Sequence, residues 1–298
     1  MNLVPAGKAA TYLALLRAIE SNRPESKRLI YDPFAKLFLP SSLRLVEKLS
    51  RISFLNRFIA WFIDRNWRGA LTCCSARTRL VDVMLENTIH DEGINQVIIF
   101  GAGYDSRALR LKLKKRIQFV EIDHAGFQAQ KRDILEHNRR MNGGEAVINY
   151  VPVDFNTQEL DHVIPQIFQQ GHYKTMFIWE GVTKNLTAPV APAMVFDYFK
   201  RFRPGTIIVF AYIDKEMLDK PEKFTGATSI TRLLRRNNEF WNFGIHPANI
   251  KEFLASYNME LMHDLDTPSF RRMYYGDEAV HMKGYEFYRV AMARVTVP

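Results

Sequence analysis

Val97-Ile98-Ile99-Phe100-Gly101-Ala102-Gly103-Tyr104-Asp105-Ser106 decides how this chain is read. The apolar, largely β-branched run Val97–Phe100 suits a strand buried on both faces. Gly101 and Gly103 turn the chain with backbone that can approach a ligand closely and adopt unusual dihedrals. Asp105 or Ser106 can then cap a helix. By itself a glycine pair after a strand is also what a plain tight turn looks like, so the surrounding chain has to supply the context.

Outward from this stretch, short apolar runs alternate with helical ones. The strand candidates are Gln96–Phe100, Ile117–Ile122, Val147–Val153, Thr175–Trp179, Thr206–Tyr212, Met259–Asp264 and Phe287–Val295. Helical patterns at Ser106–Leu113, Ala125–Asn138, Asp161–Gln169 and Val190–Phe202 lie between the earlier ones. That alternation predicts an α/β fold of the Rossmann-like kind, with a seven-stranded, mainly parallel sheet covered on both faces. Only an irregular stretch, Thr267–Lys283, separates the last two candidates, which predicts an antiparallel C-terminal strand paired with its neighbour. Residues 1–90 read as an N-terminal helical cap or lid, with apolar residues at helical spacing in Lys8–Glu20, Leu43–Arg65 and Ser75–His90. Residues 91–298 read as the sheet domain, and the two as one compact unit. After the fifth strand, Asp214–Pro247 forms a long connection carrying Phe224, Phe240, Trp241 and Phe243. It belongs above the carboxyl ends of the strands, where open α/β sheets bind ligands.

Composition excludes several classes. Of 298 residues, 47% are apolar and 24% charged, enough to bury an ordinary core. Cys73 and Cys74 are the two cysteines, adjacent and without a second pair, so no disulfide framework or zinc site is expected. No signal peptide or membrane span is read, and a cytoplasmic protein is expected. The net charge of +9 comes from short clusters such as Lys112–Arg116, Arg139-Arg140, Arg235-Arg236 and Arg271-Arg272. None is interleaved with a nucleic-acid motif, so solvated helix faces are expected and nucleic acid is not. The sequence leaves the oligomeric state open.

Acids at the strand ends supply the context that the glycines need. Phe119-Val120-Glu121-Ile122-Asp123 ends in acid about twenty residues after the glycines, where a carboxylate can accept from ribose hydroxyls. Nicotinamide dinucleotides use the same geometry, but Ser106 stands at the third glycine position of their fingerprint and no second nucleotide-binding half is present. Asp154 follows the third strand and could accept from an adenine amino group, with Phe155 against the ring. Glu180 follows the fourth and suits a positive α-amino group. A glycine turn and three acids on four successive strand ends favour one adenosyl cofactor bearing an amino-acid tail, S-adenosylmethionine.

These residues resemble the leucine carboxyl methyltransferase family, in particular its bacterial S-adenosylmethionine-dependent branch. The motifs are Arg17-Ala18-Ile19-Glu20-Ser21, Asp32-Pro33-Phe34-Ala35, Ala76-Arg77-Thr78-Arg79 and, most specific, Gly101-Ala102-Gly103-Tyr104-Asp105-Ser106-Arg107-Ala108 with Arg110-Leu111. Glu121-Ile122-Asp123, Pro152-Val153-Asp154 and Glu180-Gly181-Val182-Thr183 follow in family order. The resemblance implies a class I methyltransferase fold. It also implies that Arg77 binds the cofactor's carboxylate, that Gly101, Ala102 and Gly103 lie beside the methionine moiety, and that Asp123, Asp154 and Glu180 serve the ribose, adenine and amino-acid end. A fork of donors on Arg77 suits a carboxylate. Where the family often carries an aromatic after Glu-Gly-Val-Thr-x, this chain has Asn185.

The expected reaction is O-methyl transfer to a carboxylate of a small molecule or peptide C-terminus. An ionised carboxylate needs no general base, whereas a hydroxyl acceptor can need one. Acceptor-side candidates are Tyr104, Tyr212 and Asn185, with His246, Arg271 and Arg272 also near the strand ends or lid. Arg235-Arg236 would make the long connection a basic lid. The aromatic stretch Phe54–Phe62 reads either as core packing between cap and sheet or as an apolar acceptor pocket. A nicotinamide-dependent reductase and a cofactor-binding homologue without turnover are the alternatives.

Overall fold

The structure is a computed structural model, and it describes residues 5–138, 147–154, 172–181, 191–236 and 241–297. Four helices open the chain: α1 (Pro5–Ser21), α2 (Ser41–Leu49), α3 (Ser53–Asn66) and α4 (Ala70–Asp91). The alternating part follows as β1 (Gln96–Phe100), α5 (Arg107–Arg110), β2 (Gln118–Asp123), α6 (Ala125–His137), β3 (Ile148–Pro152), β4 (Thr175–Trp179), α7 (Ala191–Phe199) and β5 (Ile207–Ile213). The chain ends with α8 (Lys215–Asp219), α9 (Ala227–Arg236), α10 (Ile250–Ala255), β6 (Met259–Asp266), α11 (Thr267–Tyr275) and β7 (Tyr288–Val295). The expected helix at Asp161–Gln169 lies outside the described residues.

The seven strands form one sheet in the order β3-β2-β1-β4-β5-β7-β6. Strands β1 to β5 pair in parallel, and β7 runs antiparallel to both β5 and β6. The order reverses at β1, whose neighbours are β2 on one side and β4 on the other. Connections leaving β1 and β4 diverge there and open a crevice at the carboxyl ends of the strands. Alternate residues of each strand face opposite sides. Ile98, Phe100, Phe177 and Phe210 therefore join α7 and α10 in one core, with Phe196, Phe199 and Leu254. Val97, Ile99, Ile178 and Val209 join α4 on the other face, with Leu80, Met84 and Leu85.

Helix α4 is thus a layer of the sheet, although the sequence grouped it with the cap. Helices α1 to α3 and the turn between α1 and α2 close a third core through Leu15, Ile19, Phe38 and Ile63, which meets the sheet domain at Tyr104, Phe127 and Leu135. Three boundaries differ from the sequence reading. Leu43–Arg65 is two helices, because the Arg51 and Ile52 amides bond only three residues back and Asn56 caps the break by donating to the Ser50 and Ile19 carbonyls at 2.9 and 3.0 Å. Thr267–Lys283 contains α11, capped by Asp266 accepting from Ser269 N, so the last two strands are joined across a helix. The 214–247 connection contains α8 and α9, and Asp214 pairs with Ile245 in an isolated parallel bridge that closes it at its base.

Candidate active site

The glycine turn is held by backbone hydrogen bonds to the neighbouring strand. Gly101 N donates to the Ile122 carbonyl at 2.8 Å, and Gly103 N donates to Asp123 Oδ2 at 2.6 Å. Gly101 and Gly103 both have positive φ, 60° and 50°, a region that side chains bearing a Cβ rarely occupy. The turn and the acid that the sequence placed twenty residues on therefore form one unit. Asp123 Oδ1 also accepts from His124 N at 2.7 Å. Burial raises the Asp123 carboxyl, and these two N–H donors oppose the rise.

A second ring of residues surrounds the turn. Arg107, on α5, is 3% exposed and fans out to three acids. Its Nε donates to Asp82 Oδ1 at 2.8 Å, its Nη2 to Glu180 Oε2 at 2.8 Å, and its Nη1 to Asp105. Arg110 donates to both oxygens of Asp82 at 2.7 and 2.8 Å. Arg77, on α4, donates from Nε to Glu180 Oε1 at 2.6 Å and lies over the Tyr288 ring at 4.7 Å. Glu180 thus bridges two guanidiniums. Burial alone would raise its pKa, but Arg107 and Arg77 outweigh burial and hold the carboxyl down at about 2. It stays ionised throughout the neutral range.

The cap is bolted to the same turn. Buried Asp32 accepts from Arg17 Nε at 2.8 Å, from Ser106 Oγ at 2.6 Å, and from the Phe34 and Ala35 amides of its own turn. Arg17 Nη2 reaches the Tyr104 carbonyl at 2.6 Å. Beneath the turn, Lys131 Nζ donates to the Asp105 carbonyl and to Glu121 Oε2, both at 2.6 Å. Glu121 is so deeply buried that desolvation pushes it up to about 7 despite that lysine.

A cavity of about 390 Å³ occupies the crevice, lined by Arg77, Gly101–Gly103, Asp123, Asp154 and Glu180 among others. The sequence-predicted cofactor set therefore converges on one space, apart from Phe155, which lies outside the described residues, as does the acceptor-side candidate Asn185. Among the described residues Arg77 engages protein hydrogen-bond partners only through Nε, which leaves its terminal nitrogens for an anion. A second cavity of about 570 Å³ adjoins the first, and both are bordered by Ala9, Leu13, Cys74, Arg77 and Gly181. Its walls are mostly apolar side chains of α1, α3 and α9.

The acceptor-side candidates are placed apart from one another. Tyr104 borders the first cavity, stacked on Phe38 at 4.5 Å and packed against Phe127, so its ring joins cap to sheet domain. Tyr212 borders neither cavity; its hydroxyl donates to Asp264, which also receives Arg289. Arg271 is 1% exposed and donates to the Gly69 and Gly284 carbonyls at 2.6 and 2.8 Å, a structural clamp. Arg272, Arg235 and His246 are not on either lining, and Arg235 is exposed. Sequence reading missed the linking roles of Arg17, Asp32, Asp82 and Arg107. Asp32 had a local signal, a polar residue before Pro33 that can cap a turn. Asp82 had none, since its partners are 25 and 28 residues away.

Strand order, glycine turn and acid-tipped strands define a class I methyltransferase. The leucine carboxyl methyltransferase family model matches residues 10–195, and the chain belongs to that family of S-adenosylmethionine-dependent enzymes. A Bacillus subtilis protein, YktD, provisionally named as an S-adenosyl-L-methionine-dependent methyltransferase, is 23% identical over 276 residues, covering 87% of this chain and 88% of its own. A similarly named Streptomyces coelicolor protein, SCO6443, is 32% identical over 130 residues, covering 44% and 41%. Among solved structures, a Streptomyces avermitilis protein of the duf574 family has the same fold at TM-score 0.55 and 12% identity, covering 81% of this chain and 90% of its own. A Thermobifida fusca protein described provisionally as a methyltransferase overlays at 0.53 and 16%, covering 85% and 94%.

Proposed function

We propose that this protein transfers a methyl group from S-adenosylmethionine to a carboxylate oxygen of a small molecule or peptide C-terminus. Bound in the 390 Å³ cavity, the cofactor supplies an electrophilic methyl group on a sulfonium. The terminal nitrogens of Arg77 take its carboxylate, and ionised Glu180 attracts its α-ammonium. Asp123 accepts from the ribose hydroxyls through the lone pairs its two backbone donors leave over. Asp154 serves the adenine amino group. The Gly101–Gly103 backbone packs beside the methionine chain where no Cβ intervenes. The fit is one of charge: a zwitterionic amino-acid end meets one available guanidinium and one permanently ionised acid.

A single observation carries the choice of acceptor. The adjoining chamber has no His, Asp or Glu on its described lining. Burial raises the Tyr285 and Tyr288 phenols, the latter to about 12, and also raises the Cys74 thiol. These groups keep their protons near neutrality and cannot serve as general bases there. A nucleophile that arrives already ionised needs none, and a carboxylate is such a nucleophile. The residues around the chamber then have to hold it in line with the methyl–sulfur bond and exclude water. Buried free Cys73 and Cys74 suit the reducing cytoplasm as the site of this reaction. Among the described residues no helix is long and apolar enough to cross a membrane.

Calorimetric titration with S-adenosylmethionine and with NADPH tests the cofactor half of this reading. S-adenosylmethionine binds and NADPH does not, and Asp123→Ala loses most of that binding with the fold intact. Labelled methyl from the cofactor, chased into base-labile ester, tests the acceptor half. Label that survives base treatment, as in an ether, would refute the carboxylate.

A further inference from the structure

The second cavity gives the acceptor a body as well as a reacting group. Its volume, about 570 Å³, falls within the roughly 300–1,000 Å³ of small-molecule sites. Leu16, Ile59, Ile63, Ile230, Leu234 and Trp241 dominate its walls, and among the described residues the only charged side chains on the lining are Lys8 and Arg77. Lys8 is exposed to solvent, whereas Arg77 is buried at the border with the cofactor cavity, so the buried charge of the lining lies at that border. Phe58 and Phe62 of α3 line the chamber while being 59% and 49% exposed, so this wall reaches solvent.

One wall is built at a conformational cost. Tyr285 lines the chamber with φ of 62°, a left-handed conformation that bulky residues rarely adopt. The clamp by Arg271 imposes it, because its guanidinium ties the Gly284 carbonyl beside Tyr285 to the Gly69 carbonyl at the start of α4. Strain of this kind persists where the surroundings over-determine it, and it clusters at ligand sites.

We propose that this chamber is the acceptor site and that it takes an amphiphile, a carboxylate on an extended hydrocarbon body, with the carboxylate at the Arg77–Gly181 border. This deepens the carboxylate reading above and rests on it for the reacting group alone. A peptide C-terminus would bring an amide every third backbone atom into walls that offer few partners, at a desolvation cost. A hydrocarbon chain loses nothing there. Each methylene buried is worth about 0.8 kcal/mol, which is about fourfold in affinity.

Calorimetry with saturating S-adenosylhomocysteine tests this, using octanoic, decanoic and dodecanoic acids and dodecan-1-ol below their aggregation concentrations. Affinity is expected to rise about fourfold per methylene through the series. Ile59→Trp from α3 and Leu234→Trp from α9 fill the chamber from independent walls. Each is expected to weaken dodecanoate binding at least tenfold with S-adenosylhomocysteine affinity unchanged, which also certifies the fold. Affinity flat with chain length, or dodecanoate binding untouched in a Trp variant that still binds S-adenosylhomocysteine, would overturn the proposal. If acid and alcohol bind alike with the predicted slope and, with methyl-labelled S-adenosylmethionine in place of the product, label enters only the alcohol, the chamber assignment stands and the carboxylate reading fails.

Discussion

Arg107 is the residue whose removal the site should tolerate least. It is buried and joins Asp82, Asp105 and Glu180. Arg107→Met keeps most of the side-chain volume and removes the charge. Asp82 would retain Arg110 and Glu180 would retain Arg77, but Asp105 would keep only its backbone donor, Arg107 N at 2.7 Å. Removing one partner of a buried pair costs about 3–5 kcal/mol. With an unfolding entropy of about 2.1 cal/mol/K per residue, a chain of this length loses about 5–8 °C in Tm. Glu180→Gln removes one of the acids, so the double variant should cost less than the two singles together, by about 0.5–3 kcal/mol. Arg107→Lys should fall between Met and wild type, since a lysine keeps the charge but not the fork. Thermal unfolding of wild type and the four variants, with S-adenosylhomocysteine titrations beside it, measures all of this. A Tm loss under about 2 °C for Arg107→Met, or strict additivity with Glu180→Gln, would refute the claim that these groups act as one network.

Other outcomes follow from single residues. Asp123→Ala should weaken S-adenosylmethionine binding about 10- to 150-fold, the equivalent of one hydrogen bond to an ionised acceptor at about 1.5–3 kcal/mol; equilibrium dialysis with labelled cofactor reads it. Glu121 has its folded-state pKa raised to about 7 from 4.5, so its contribution is complete at low pH and is lost as pH rises between those values. The loss is about 3 kcal/mol, and Glu121→Gln should flatten urea-unfolding stability over that window. Glu180, held at about 2, behaves in the opposite sense: its contribution is present above about 4.5 and is lost as pH falls toward 2, a limb that Glu180→Gln should remove. Gly284→Ala should destabilise strongly, because a Cβ there would meet the Arg68 carbonyl oxygen at 1.8 Å and φ is +94°; a Tm equal to wild type would show that the two loops are not held together as described.

Much of the fold was legible because buried parallel strands are written as unbroken apolar runs, and all seven candidates became strands. Helix ends were less so. The start of α4 lies at Ala70, earlier than Ser75, after Gly69 turns the chain at φ +79°, a conformational event without a periodic signature. The site followed the same division. Gly101, Asp123, Asp154 and Glu180 stand at strand ends, so strand order alone brings them together, and Arg77 came from the family resemblance. Arg107 was in plain view within the glycine signature, but its three acids come from α4, its own turn and β4, and no spacing rule joins them. The apolar chamber was half visible as the aromatic stretch Phe54–Phe62. Whether that stretch packs or lines depended on α9 and Tyr285, more than 160 residues away in the chain.

A crystal structure with S-adenosylhomocysteine bound tests the site most directly. The homocysteine carboxylate should lie on the terminal nitrogens of Arg77 and the ribose on Asp123, with the sulfur facing Gly181 and the apolar chamber. Adenosyl density away from Asp123, or a sulfur turned from the chamber with Arg77 unengaged, would contradict both the cofactor placement and the acceptor route.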